Sequence, residues 1–177
     1  RQSYGGLHLS LNIIPDIAIL GKALGNGYAI TAVIGKNSVM ENAKKSFISS
    51  TFWSERIGPC AALKTLEIME RDKSWIKITK LGNKLISIWR KVSSRHKLKI
   101  EIFGLPSLAK FSFASIYSQE YKTFITQEML GKGFLAANGV YMSTAHDEKI
   151  LRKYENILDE VFYKIAMCEK GKVSIKE

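Results

Sequence analysis

The sequence predicts an α/β arrangement in its first part and an α+β arrangement after it. Three observations lead there. Asp16–Leu20 and Tyr28–Ile34 are short apolar runs flanking a glycine-punctuated turn, with the length and β-branched content of buried strands. Ile78, Leu81, Leu85, Ile88 and Val92 recur at helical spacing and form the apolar stripe of one long helix. Beyond it, Leu98–Phe103 and Leu108–Ile116 are joined by Gly104-Leu105-Pro106-Ser107, a connection too short for a parallel crossover, so these strands pair antiparallel.

Taken in order, the lysine-bearing turn Gly21–Gly27 lies between the first two strands. Asn37–Lys45 reads as a short helix capped by Asn37 or Ser38, with Val39 and Met40 turned inward. Ser46–Glu55 is a hydroxyl-rich loop. Pro59 suits the first turn of a helix whose inward positions include Ala62, Leu66 and Met69. The next helix runs over residues 74–94, with Lys77, Lys80, Lys84 and Lys91 outside its stripe, Trp75 and Trp89 as packing anchors, and His96 beyond it on the surface. After the strand pair, Glu120–Leu130 is a helix with Phe124, Met129 and Leu130 among its apolar positions, and Val140–Ser143 is a last strand. Asp147 and Glu148 suit the positive end of a final helix reaching about Lys170, with Ile150, Tyr154, Ile157, Val161 and Ile165 inward. The chain changes character near residue 96, which divides it into domains of residues 1–96 and 97–177.

The 177 residues are 46% hydrophobic and 24% charged, an ordinary globular composition. With no apolar run of membrane-spanning length, no membrane span is expected. Cys60 and Cys168 stand far apart and outside any metal-binding spacing, which argues against structural zinc and suits free thiols in a reducing cytoplasm. The net charge of +11 comes from basic residues spread along the chain, densest over 77–99 and at the C-terminus. A solvated helix face accounts for most of it better than nucleic-acid binding does.

Two phosphate-binding motifs fail on spacing. The P-loop needs glycine where Asp16 stands and a hydroxyl where Ala23 stands. The dinucleotide fingerprint would begin at Gly25-Asn26-Gly27 but meets Ile30 and then a strand; the run Gly131–Ala136 follows a helix, not a strand. Lys22 remains. An ammonium held between buried strands is costly unless paired or neutralised, and a neutral amine has the lone pair that condenses with an aldehyde. A lysine extending from the turn into water is the alternative reading of the same residues.

Arg1, Gly5-Gly6, Pro15-Asp16, Gly21-Lys22-Ala23-Leu24-Gly25-Asn26-Gly27-Tyr28 and Ala32-Val33-Ile34-Gly35 together resemble, in order and spacing, the lysine segment of the class III aminotransferases. That pyridoxal-phosphate-dependent group includes glutamate-1-semialdehyde aminomutase. Asn26 and Ala29 depart from the family's usual glycine and proline. The resemblance implies a fold-type I large domain, in part, followed by a small C-terminal α+β domain. It makes Lys22 the catalytic Schiff-base lysine that holds pyridoxal 5'-phosphate and shuttles the substrate proton. Ser50 and Thr51 would donate a backbone N–H and a hydroxyl to the phosphate of the neighbouring subunit's cofactor, in a homodimer. The Ser143–His146 segment resembles the family's start of the final helix, where the histidine is structural.

On that resemblance the chain takes a small-molecule amino donor and a carbonyl acceptor, or rearranges one molecule as an aminomutase does. The aspartate that pairs with the pyridine nitrogen would stand ahead of Arg1, so the chain is expected to be a C-terminal fragment, inactive alone. A non-catalytic basic binding domain of the same fold is the competing class.

Overall fold

The computed structural model describes residues 1–171 and 173–174; the basic C-terminal residues Lys172 and Lys176 lie outside them. Contacts divide the chain between Ile76 and Lys77 into two units.

In the first unit, the helical turn α1 (Leu7–Ser10) leads to strand β1 (Ile17–Leu20). A 3-10 turn, Lys22–Leu24, follows, and then β2 (Ala32–Gly35). β1 and β2 pair antiparallel, Ile17 opposite Gly35 and Leu20 opposite Ala32. β2 is shorter than the run 28–34 predicts, because Gly25–Tyr28 is occupied in closing the turn. These strands are not buried as expected: Ile17, Ile19, Val33 and Ile34 are exposed, Ile19 at 74%. The physical reason is that the two-stranded ribbon pairs with no further strand among the described residues, so it has no second layer to pack against. α2 (Asn37–Met40) is preceded by Lys36 as its N-cap, with no side-chain cap, correcting the expected Asn37 or Ser38 cap. α3 (Ile57–Asp72) carries Pro59 in its first turn and buries Gly58 and Ala62.

The second unit owns the hydrophobic core. α4 (Ser74–His96) contributes Ile78, Leu81, Leu85, Ile88, Trp89 and Val92. Its stripe packs with the C-terminal elements, so the break in contacts falls ahead of residue 96. β3 (Ile100–Phe103), β4 (Leu108–Phe113) and β5 (Gly139–Tyr141) form an antiparallel sheet in that order. Phe111 and Phe113 on β4 alternate with Lys110 and Ser112, a period of two that sends one face into the core. α5 (Ser118–Gly131) buries Tyr121, Ile125 and Met129; Leu130, also apolar, is exposed because it sits one residue past that stripe. α6 (Glu148–Glu169) is N-capped by Asp147, whose carboxylate accepts from the Ile150 N–H at 2.7 Å. It buries Leu151, Tyr154, Leu158, Val161, Phe162 and Ile165, while Ile150 lies partly outside. No helix among the described residues is long and apolar enough to cross a membrane.

Candidate functional site

The lysine turn is built by its backbone. Leu24 N–H donates to the Gly21 carbonyl, Asn26 N–H to that of Lys22, and Tyr28 N–H to that of Gly25, each at 3.1 Å. Closing so tight a path takes Lys22 (φ 48°) and Asn26 (φ 48°) into the left-handed region and Gly27 to φ 108°. Asparagine tolerates that region and glycine is free in it, but lysine gives up about 1–2 kcal/mol there. A side chain at Gly25 would collide with the Tyr28 carbonyl oxygen and come within 2.8 Å of Ile30 Cγ2. Of the two non-glycine residues at positive φ in this turn, Lys22 is the one whose side chain does not favour that region. Such backbone recurs at functional sites, and in this chain it also occurs at Lys73, the end of α3, and at Lys97.

α3 is seated directly on this turn. A Cβ on Gly58 would stand 2.7 Å from the Ala29 carbonyl oxygen and 3.1 Å from Ile30 Cβ. Only glycine lets the helix approach that closely. Gly58 is not among the residues the sequence singles out, although a Gly-Pro pair opening a helix marks it.

Lys22 is exposed, and among the described residues its ammonium has no hydrogen bond or ion pair. The expected burial of the amine between two strands is therefore absent, for the same reason that the strands are exposed. Ser50 and Thr51 lie in the 46–56 segment and are exposed. Ser50 Oγ accepts from the Phe52 N–H at 3.2 Å, which leaves the hydroxyl proton available to an outside acceptor. Among the described residues no hydrogen bond or ion pair joins Lys22 to Ser50 or Thr51. Flanking the two hydroxyls in sequence are Phe47, 96% exposed, and the exposed Phe52 and Trp53. Asp16, at the start of β1, is engaged elsewhere: Lys36 Nζ donates to its Oδ1 at 2.7 Å and holds its carboxyl below the ordinary range. The arrangement offers one unpaired primary amine on a rigid turn, able to attack an aldehyde, and hydroxyl donors suited to a phosphate.

His96, expected on the surface, is a correction: its side chain is 13% exposed and its Nε2 lies 2.9 Å from Asp159 Oδ1. His146 agrees with a structural reading. Its Nδ1 accepts from the Ser143 N–H at 3.1 Å and holds the turn that leads into α6.

A family model described as aminotransferase class-III matches residues 4–158, a span that contains the lysine turn and most of the second unit. The chain belongs to the class III aminotransferase family. Over its full length it is 30% identical to the 3-aminobutyryl-CoA aminotransferase of Cloacimonas acidaminovorans, covering 42% of that protein. It is 25% identical to the glutamate-1-semialdehyde 2,1-aminomutase of Methanocaldococcus jannaschii over 92% of this chain and 42% of the relative. The fold is similar to that of the FumI protein of Sphingopyxis sp. MTA144 in its PLP internal aldimine form, with a TM-score of 0.83 and 24% identity. That likeness covers 89% of this chain and 39% of FumI. This class III chain thus spans about two-fifths of the length of the relatives it matches.

Proposed function

We propose that the chain carries the lysine-bearing part of a pyridoxal-phosphate-dependent enzyme that moves an amino group between a small amine donor and a carbonyl acceptor. The observation that carries this reading is Lys22: an unpaired primary amine, strained at φ 48° on a turn locked by Gly25 and by α3, inside the family match. Residues 1–96 would then belong to the cofactor-binding domain and 97–177 to the small domain.

When bound, pyridoxal phosphate supplies an aldehyde that condenses with amines and a ring that takes up the electron pair of a broken carbon–hydrogen bond. Lys22 Nζ is the amine that holds the aldehyde end. With its amine free, Lys22 Nζ would be the group that accepts the proton from the substrate carbon and returns it to another. The rigid turn matters here, because a proton carrier must stay within hydrogen-bond reach of both positions. The free hydroxyl proton of Ser50, with Thr51, serves as donor to the phosphate of a twofold mate's cofactor. The exposed apolar side chains beside them, Phe47, Phe52 and Trp53, support a subunit contact at that segment. A contact of this kind would also exclude the water that now surrounds Lys22. Similarity to an aminomutase keeps the intramolecular version of the transfer as the second reading. Turnover without a second amine donor would select it.

The test is covalent mapping. The chain is incubated with pyridoxal phosphate, reduced with borohydride and analysed by peptide mass spectrometry. The expected result is preferential labelling at Lys22, abolished in Lys22→Ala and accompanied by loss of the visible absorbance. Labelling spread evenly over the surface lysines, or absorbance unchanged in Lys22→Ala, overturns the assignment and favours a non-catalytic basic domain.

A further inference from the structure

The second unit contains a cavity of about 300 Å³ that the lysine chemistry does not use. Four elements line it: Leu85 comes from α4, Phe134 from the loop after α5, Val140 and Met142 from β5 and its end, and Leu151 from α6. Leu85, Met142 and Leu151 are core residues, so that side of the space is fixed by packing, while Phe134, Leu135, Ala136 and His146 come from the loops on either side of β5. Among the described residues no Asp, Glu, Lys or Arg side chain lines the space. A charged guest would lose its hydration there without a partner, so the cavity selects an uncharged one. An apolar cavity of about 150 Å³ already admits benzene, so this one has room for a substituted ring.

One wall is polar in a defined way. His146 lines the cavity, and the Ser143 backbone N–H, which can only donate, lies 3.1 Å from His146 Nδ1. The lone pair is therefore on Nδ1 and the proton on Nε2, leaving the Nε2–H as the ring's remaining hydrogen-bonding group. Tyr154, also in the lining, already accepts from Trp89 Nε1 at 2.9 Å. At the rim, Leu135 is 94% exposed, an apolar side chain held in water beside an apolar space.

We propose that this cavity binds a small, uncharged, mainly apolar molecule bearing one hydrogen-bond acceptor, an aryl or alkyl ketone being the simplest representative, with His146 Nε2–H donating to the acceptor. The proposal is independent of the reading of Lys22. It is tested by titrating the isotope-labelled chain with acetophenone and, separately, with ethylbenzene, which has a similar shape and no acceptor. Acetophenone is expected to shift the amides of Val140, Met142, His146 and Leu151 saturably and to bind about tenfold more tightly than ethylbenzene, as one hydrogen bond inside an apolar site allows. His146→Phe should equalise the two ligands, His146→Gln should keep the preference, and Ala136→Trp, which fills the space from the rim, should abolish both. Absence of saturable shifts, shifts spread over the whole chain, or a ketone preference that survives His146→Phe overturns the proposal. Should His146→Phe lose its dispersed spectrum, the Ala136→Trp result decides alone: binding that persists with the space filled lies elsewhere.

Discussion

Trp89 Nε1 donates to the hydroxyl of Tyr154 at 2.9 Å, and both side chains are buried. The bond ties α4 to α6 inside the core, and burial pushes the Tyr154 phenol well above its ordinary pKa. It is one rung of a ladder. Lys84 pairs with Glu148 at 2.8 Å, Lys91 with Glu155 at 2.7 Å and Arg95 with Asp159 at 2.7 Å. In each pair the acid follows its base by the same sequence separation, so the two helices run in the same direction and in register.

Tyr154→Phe leaves the Trp89 N–H buried without an acceptor. The expected cost is about 1–3 kcal/mol, the penalty for an unsatisfied buried donor. Urea unfolding of the second unit, followed by near-ultraviolet circular dichroism, measures it. An unchanged midpoint would mean that the indole finds another partner.

Gly82 separates helix propensity from packing. In the interior of α4, glycine costs about 1 kcal/mol relative to alanine, so propensity alone makes Gly82→Ala stabilising. In the structure a Cβ there would overlap the Pro106 carbonyl, so the turn between β3 and β4 must move. Gly82→Ala is therefore expected to destabilise by about 1–3 kcal/mol, the range for overpacking. The sign of the change in thermal midpoint decides.

Asp159 makes the ladder sensitive to acid. Desolvation raises its carboxyl pKa, but hydrogen bonds from His96 and Arg95 together outweigh it and leave the pKa below the ordinary value. A carboxyl depressed in the folded state contributes stability that is present above its unfolded pKa of about 3.9 and is lost as pH falls through the folded value. Asp159→Asn should therefore lower the urea midpoint at neutral pH. The gap to wild type should narrow as pH falls below the unfolded value and close once pH is below the folded one, where the wild-type carboxyl is neutral as well. A gap independent of pH would assign the effect to packing.

Lys22→Gly removes the left-handed strain together with the amine. Amide exchange at Asn26, whose N–H is bonded to the Lys22 carbonyl, should slow by the equivalent of about 1 kcal/mol, whereas Lys22→Ala keeps the strain and should not slow it. Equal exchange in the two variants would show that the turn stores no strain at this position.

Much of the fold was legible because its signals are local. The stripe from Ile78 to Val92, the acidic start of α6 at Asp147 and Glu148 and the strand run of β4 each depend on a period or a charge within one element. The lysine motif was legible for a similar reason: Gly21–Tyr28 must close a turn, and only certain residues fit its backbone angles. His96 was misjudged because its partner Asp159 is brought near only when α4 and α6 pack. Gly82 carries no local sign of the Pro106 carbonyl that presses on it.

By itself the sequence determined most of the elements, the antiparallel pairing of β3 with β4 and the family, since these follow from spacing, turn chemistry and a motif read along one stretch of chain. Only the tertiary structure decided that α4 packs with the C-terminal unit, that its lysines meet the acids of α6, and that Lys22 stands in water on an uncovered ribbon. Those facts depend on which surfaces meet across long sequence separations, and burial and electrostatic pairing are properties of surfaces that meet.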